Sequence, residues 1–430
     1  MEEIVVVGGN NLKGSVKIEG AKNSALPILA ASLLADDGVT TLYNVPDLSD
    51  VIVMNQVMEG LNAKVSFDKV NNTVLVDATL PLSSHAPDQY VSKMRASICF
   101  MGVLLARTGK AKLSVPGGCA IGKRPIDQHL KAFKALGAEI LYDDGYIEIT
   151  GNELIGNIIN LDFPSVGATQ NIMMAAVKAK GTTFIHNAAQ EPEIVDLAKF
   201  LNKMGAQIYK YGTECIQIIG VDNLKAESYT IMEDRIEAGT FMIAAAMTKG
   251  NVLIENARFD NNLPLIYKLI KMGARIVNEK NGIRVTGPEV LKSTNITTMP
   301  YPGFPTDLQA PMTAILSVSQ GTGIVTETIF EDRFQHLEEM LKMEASVRWK
   351  GNAAIIEGVD KLQGAVVYAT DLRAAAALVL AGLTANGTTR VRNLKYLDRG
   401  YYKFHQKLQN LGAKVARKRY LESKLYSGGQ

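Results

Sequence analysis

Charge of one sign is what this 430-residue chain most plainly lacks. Its 46 lysines and arginines stand against 43 aspartates and glutamates, a formal net charge of +3. A dedicated nucleic-acid or membrane-surface protein usually carries a strong basic excess, so neither class is expected. Long apolar runs are missing too: the stretch 372–383 is interrupted by Arg373 and falls short of the ~20 residues a spanning helix needs. Met1-Glu2-Glu3 opens neither a basic stretch nor a cleavable apolar run, which predicts no secretory signal. Cysteine is scarce and odd in number (Cys99, Cys119, Cys215), which argues against a disulfide framework. The five histidines show no metal-ligand spacing, so no metal site is expected. These absences together predict a soluble, cytoplasmic protein with reduced thiols, and any special cysteine must be justified by its surroundings.

What is present is an internal repeat. A Gly-Ala pair that ends a helical pattern and opens a strand-like run recurs at Gly137-Ala138, Gly205-Ala206, Gly273-Ala274 and Gly412-Ala413, with degenerate copies at Asn62-Ala63 and Glu344-Ala345. A second marker, glycine before an extended run, starts at Gly38, Gly109, Gly181, Gly250, Gly321 and Gly387. Both landmarks recur at intervals near 70 residues, so the chain divides into six units of about 72 residues. The third unit predicts a helix over 165–178, a strand over Thr182–His186, a helix over 194–204 stopped by Gly205, and hairpin strands over 207–211 and Cys215–Ile219. The unit is therefore βαβαββ, too large for a solenoid repeat. The N-terminal run 4–7 reads as the missing last strand of the sixth unit, which would bring the two ends of the chain together. This predicts two domains, 22–231 and 1–21 plus 232–430, with short crossovers, no Pro/Ser-rich linker, and a ligand cleft between the halves.

The first helix of each unit aligns on Ala25, Ala96, Ala168, Ala238, Ala310 and Ala374. Its first turn exposes peptide N–H groups and the positive end of the helix dipole. Asp234, Asp371 and Ser165 at such positions serve equally as N-caps or as functional groups. Lys22 and Arg95 do not, because a cation there is unfavourable without an accompanying anion, and so an anionic ligand is expected.

The second unit breaks its own pattern with Pro116-Gly117-Gly118-Cys119-Ala120-Ile121-Gly122-Lys123-Arg124-Pro125. The glycines let the backbone approach a ligand closely, and Lys123 and Arg124 favour a thiolate or an anionic substrate beside Cys119. Pro125 suits a first helical position, with Ile126, Leu130, Phe133 and Leu136 as the buried stripe that follows. Cys99 and Cys215 lie in apolar patterns and read as small core residues.

Gly20-Ala21-Lys22-Asn23, Met94-Arg95-Ala96-Ser97, the Cys119 loop, Gly303-Phe304-Pro305-Thr306-Asp307 and Asp398-Arg399-Gly400-Tyr401 occur in one order and spacing. On these motifs, over essentially its whole length, the chain resembles the UDP-N-acetylglucosamine 1-carboxyvinyltransferases of the enolpyruvyl transferase family. The resemblance implies two inside-out α/β barrel domains, each of three βαβαββ units in pseudo-threefold arrangement with helices inside. It also implies transfer of the enolpyruvyl group of phosphoenolpyruvate to the 3-hydroxyl of UDP-N-acetylglucosamine with release of phosphate, the first committed step of peptidoglycan synthesis. No cofactor or metal is implied.

Residue by residue, Cys119 matches the proton donor, the thiol that forms a phospholactoyl adduct and the target of the covalent inhibitor fosfomycin. Asp307 matches the general base. Lys22, Asn23, Arg124 and Arg399 match the phosphoenolpyruvate clamp, where an arginine fork can bind oxyanions bidentately. Arg95, Arg124, Pro125, Ile126, Asp127, Gln128, Ser165, Val166, Asp307 and Ile329 match the UDP-sugar contacts, and Asp371, Arg373 and Glu191 are supporting residues. The chain departs from some members by carrying Phe163-Pro164 where they carry Lys-Val. Two alternatives stay open. One is 5-enolpyruvylshikimate-3-phosphate synthase, which shares the fold and lacks the cysteine loop; the other is a catalytically silent homologue that only binds the UDP-sugar.

Overall fold

In the computed structural model, which describes residues 1–91, 95–114, 126–143 and 145–420, the sequence period becomes a structural one. The third repeat shows it best, as Ile158–Asn160, Val166–Ala176, Thr182–His186, Pro192–Lys203, Gln207–Tyr209 and Cys215–Ile219. Ile158–Asn160 runs parallel to Thr182–His186, and Cys215–Ile219 lies between Thr182–His186 and Gln207–Tyr209, antiparallel to both. Thr182–His186 alternates buried Thr183 and Ile185 with more exposed neighbours, the period of a half-buried strand. The first hairpin strand stops at Tyr209 because Lys210 takes φ 55°, and the Thr213 hydroxyl ties the turn to the Lys210 carbonyl at 2.7 Å.

The described residues form six sheets, five of four strands and one of three. In the last repeat the chain supplies no closing strand of its own. Glu2–Val7 takes that place, antiparallel to both Thr388–Arg392 and Lys414–Arg419, so the two ends share one sheet. A glycine follows the closing strand in five repeats: Gly8, Gly151, Gly220, Gly287 and Gly358. A Cβ on Gly8, Gly220, Gly287 or Gly358 would strike the carbonyl oxygen of Ala385, Ala179, Ala246 or Ser319, so close backbone approach requires glycine there.

The chain forms two compact units. One comprises Glu19–Arg235 with Met299–Gly303; the other comprises Met1–Ile18, Ile236–Thr298 and the chain from Phe304 onward. Among the described residues each has three sheets and, one per repeat, three largely buried helices. The buried helices are Lys22–Ser32, Phe100–Thr108 and Val166–Ala176 in the first unit, and Arg235–Met247 (from Ile236), Gln309–Leu316 and Leu372–Thr384 in the second. Leu372–Thr384 is buried nearly all round: every residue from Arg373 to Leu383 is buried, and the run Ala374-Ala375-Ala376-Ala377 lets neighbouring helices pack closely. The strands instead expose one face, as Val39 and Ile158 illustrate at 53% and 66% accessibility. Helices inside and sheets outside make each unit an inside-out α/β barrel.

In the second repeat the helical start at Ala96 is a 3₁₀ turn, Arg95–Cys99, before the α-helix begins at Phe100. Among the described residues no helix is long and apolar enough to cross a membrane.

Candidate active site

Asp307 sits in the 3₁₀ turn Thr306–Leu308 that opens the helix Gln309–Leu316. Arg333 Nη2 donates to its Oδ1 at 2.6 Å and Arg373 Nη2 to its Oδ2 at 2.7 Å, with both arginine side chains almost fully buried. Burial by itself would raise this carboxyl, but Arg373 and Arg333 overcome it and hold Asp307 well below the usual carboxylate range. The Asp307 side chain keeps 25% of its surface, so the clamped anion still faces outward. Arg373 is fixed from behind: its guanidinium lies 5.4 Å from the Tyr401 ring, and its helix is capped by Asp371.

Asp371 resolves as a cap. Its Oδ1 accepts from the peptide N–H groups of Arg373 at 2.7 Å and Ala374 at 3.1 Å. Asp371→Ala should therefore cost about 0.5–2 kcal/mol and loosen the turn that carries Arg373. Asp371→Asn, a cap of similar strength, should restore the melting temperature. A variant as stable as wild type but catalytically inert would show that Asp371 does more than cap. Ser165 likewise caps Val166–Ala176, accepting from the Ala168 N–H at 3.3 Å.

In the other unit Lys22 and Asn23 open the helix Lys22–Ser32. Charge logic called for an anion beside Lys22, and the structure supplies carboxylates: Lys22 Nζ lies 3.5 Å from Asp50 Oδ2, and the Lys22 peptide N–H donates to Asp234 Oδ2 at 3.4 Å. Glu191 precedes the helix Pro192–Lys203 without capping it. Its Oε2 is buried without a hydrogen-bond partner, and burial raises its carboxyl above the ordinary value despite the nearby Arg235. Arg235 Nε in turn donates to Glu193 Oε1 at 3.0 Å within the same unit.

Ile126 is half-buried, Asp127 is exposed at the first turn of Asp127–Ala135, and Gln128 Oε1 accepts from the Phe163 N–H at 3.3 Å. Phe163 itself is 43% exposed. Val166 begins its helix, Ile329 is half-buried, and half-buried Arg399 ends the 3₁₀ turn Leu397–Arg399. Cys119, Arg124 and Pro125 lie outside the described residues, as does the side chain of Arg95. Cys99 is buried, and desolvation pushes its thiol up to about 12, as befits a core residue. Cys215 corrects the expectation: it lies at a strand end, half-buried rather than in the core.

The structure thus brings Asp307, Arg373 and Asp371 together, and adds two residues the sequence reading missed, Arg333 and Glu327. Arg333 follows a strand in a stretch without helical or strand periodicity, where nothing local separates it from a solvated cation. Among the described residues no group of three or more His, Cys, Asp or Glu side chains could hold a metal ion.

The inside-out barrels are shared with solved enolpyruvyl transferases, and the family match gives the class. A family model described as EPSP synthase (3-phosphoshikimate 1-carboxyvinyltransferase) matches residues 6–408, and the chain belongs to that family. Its reaction class is therefore enolpyruvyl transfer. Among solved structures, the enolpyruvyl transferase NikO from Streptomyces tendae is similar with a TM-score of 0.87 at 23% identity, over 98% of this chain and 99% of that one. EPSP synthase from Acinetobacter baumannii is similar with a TM-score of 0.74 at 19% identity, over 97% of this chain and 100% of that one. At those identities the likeness speaks for the fold.

Proposed function

We propose that this enolpyruvyl transferase uses UDP-N-acetylglucosamine as acceptor and opens peptidoglycan synthesis. The observation that carries this reading is Cys119 within Pro116-Gly117-Gly118-Cys119-Ala120-Ile121-Gly122, the loop by which the chain resembles the UDP-sugar enzymes rather than the shikimate ones.

In the proposed course the Cys119 thiol gives its proton to the methylene carbon of phosphoenolpyruvate, which leaves the phosphate-bearing carbon electron-poor. The 3-hydroxyl oxygen of the sugar bonds to that carbon and its proton passes to Asp307. The Cys119 thiolate then takes a proton back from the new methyl group as the carbon–oxygen bond to phosphate breaks, and phosphate departs with the electron pair. The products are the enolpyruvyl ether and inorganic phosphate. A strongly ionised Asp307 is a weak base, yet it suffices in this order of events. A hydroxyl bonding to an electron-poor carbon becomes far more acidic than a free alcohol, so even a low-pKa carboxylate can take the proton. Lys22, Asn23, Arg124 and Arg399 would hold the phosphate and carboxylate of phosphoenolpyruvate. Arg95, Pro125, Ile126, Asp127, Gln128, Ser165, Val166 and Ile329 would line the UDP-sugar, with Phe163 an apolar surface in place of a cationic diphosphate contact. Glu191, Asp371 and Arg373 are supporting residues in this scheme, and fosfomycin would alkylate Cys119.

The test is phosphate release from phosphoenolpyruvate with UDP-N-acetylglucosamine, with shikimate 3-phosphate, or with neither. Release with the UDP-sugar alone is expected. Release with shikimate 3-phosphate alone would overturn the acceptor assignment, and silence from a folded protein would favour a binding homologue.

A further inference from the structure

Glu327 is the least accessible carboxyl near Asp307, with 2% of its surface exposed, and the proposed mechanism gives it no task. Its partners are neutral and numerous. Oε1 accepts from the Thr298 hydroxyl at 2.8 Å and from the peptide N–H groups of Ile329 at 2.8 Å and Phe330 at 3.2 Å, while Oε2 accepts from the Thr306 hydroxyl at 2.8 Å. A hydroxyl has one proton. Because Thr306 spends it on Glu327, its lone pairs must face Arg333, whose Nη1 donates to it at 2.7 Å. The other terminal nitrogen of the same guanidinium holds Asp307.

We infer that Glu327 is a positioning residue for Asp307, acting through Thr306 and Arg333, and that it also sets the backbone of Ile329 by the same carboxyl. Arg333 donates to both Thr306 and Asp307, and the run from Arg333 through Thr306 to Glu327 is aligned donor to acceptor, so those two bonds strengthen one another. The second effect is geometric. Arg333 is planar, so fixing Nη1 on Thr306 fixes the direction in which Nη2 meets Asp307. Glu327 thereby governs both where the Asp307 oxygen stands and how firmly its negative charge is held. The link to turnover rests on the proposed role of Asp307; the link to the Asp307 charge does not.

Glu327→Gln isolates the relay. The amide oxygen can keep the bonds from Thr298, Ile329 and Phe330, while its NH₂ now donates to Thr306, so Thr306 faces two donors and its grip on Arg333 weakens. The other charged groups around Asp307 are Arg373 on its second oxygen, with Asp371 and His336 beyond; burial, only partly offset by Asp371, lowers His336 to about 4, so it is neutral at working pH. The variant should melt near wild type and lose about tenfold or more in kcat with KM for phosphoenolpyruvate little changed. A weaker cationic clamp raises the Asp307 carboxyl while loss of the Glu327 carboxyl charge lowers it, so the Asp307 titration, followed by carbon-13 NMR of aspartate-labelled enzyme and assigned with Asp307→Asn, is read in Thr306→Val, which keeps Glu327.

Thr306→Val removes the relay from its middle and leaves Glu327 in place, so it should lower kcat likewise and move the Asp307 titration to higher pH. The double variant should be no worse than either single one, since the two act through one path. Additive losses, or an Asp307 titration that stays at its wild-type position in Thr306→Val, would overturn the inference. If wild-type enzyme uses shikimate 3-phosphate instead, the acceptor assignment fails separately. The NMR titration, and kcat with that acceptor, still decide the role of Glu327.

Discussion

Replacing Asp307 by alanine should be the most damaging single change in the described structure, for activity and for stability together. The substitution leaves Arg333 and Arg373, with 4% and 3% of their side chains exposed, without the anion between them. Removing one partner of a buried ion pair typically costs about 3–5 kcal/mol, because the remaining charge stays desolvated. Here the carboxylate is itself a quarter exposed, so water can enter and the lower end of that range is expected. Asp307→Asn separates the two losses. The amide keeps the shape and one acceptor, so stability should largely return. Turnover should not if Asp307 is the proposed base, since proton acceptance by a positioned side chain typically contributes about 10²- to 10⁴-fold.

The pH dependence has a definite sign. The folded-state pKa of Asp307 lies well below the value of about 3.9 that the unfolded chain would show. Its contribution to stability is therefore complete above that unfolded value and is lost as pH falls through the folded one. Wild type should lose more stability than Asp307→Asn in strongly acidic buffer, and the two should run parallel near neutrality. Parallel unfolding curves throughout the acid range would show that the arginines do not favour the ionised carboxyl.

The repeat could be read from spacing alone because strand and helix periods are local properties, whereas the inside-out packing came only with the family resemblance. Two glycine landmarks near a 70-residue interval fixed six units, and Cys215–Ile219 and Thr182–His186 lie where their alternation put them. The run at the N-terminus was legible for the same reason, as a strand without its own unit. Charge relations were legible only in part. Lys22 at a helix start demanded an anion, but no rule of spacing could say that Asp50, from another helix, would stand beside it. Arg333, Thr306 and Glu327 were invisible because their roles are set by side chains meeting across three segments. A threonine before an aspartate looks like ordinary helix-start chemistry until Glu327 is seen beneath it.

Replacing Cys119 should instead leave stability almost untouched and remove most of the activity. If Cys119 is the general acid proposed above, Cys119→Ala cannot protonate the methylene carbon, and a loss of roughly 10²- to 10⁴-fold in kcat is expected. Cys119→Asp is more informative. An ordinary thiol titrates near about 8.5 and an ordinary aspartate near about 3.9, so at neutral pH the first is mostly protonated and the second mostly not. If the residue acts as an acid, the aspartate variant should recover activity as pH falls, with its alkaline limb displaced to lower pH. Alanine should show no such recovery. Fosfomycin supplies an independent readout, because a carboxylate is a far poorer nucleophile than a thiolate towards it. Intact-mass measurement should find one adduct on wild type and none on either variant. Cys99, buried and raised to about 12, serves as an internal control that stays unmodified. An adduct that persists in Cys119→Asp would move the reactive thiol to half-buried Cys215, and an unchanged pH profile would remove Cys119 from proton transfer altogether.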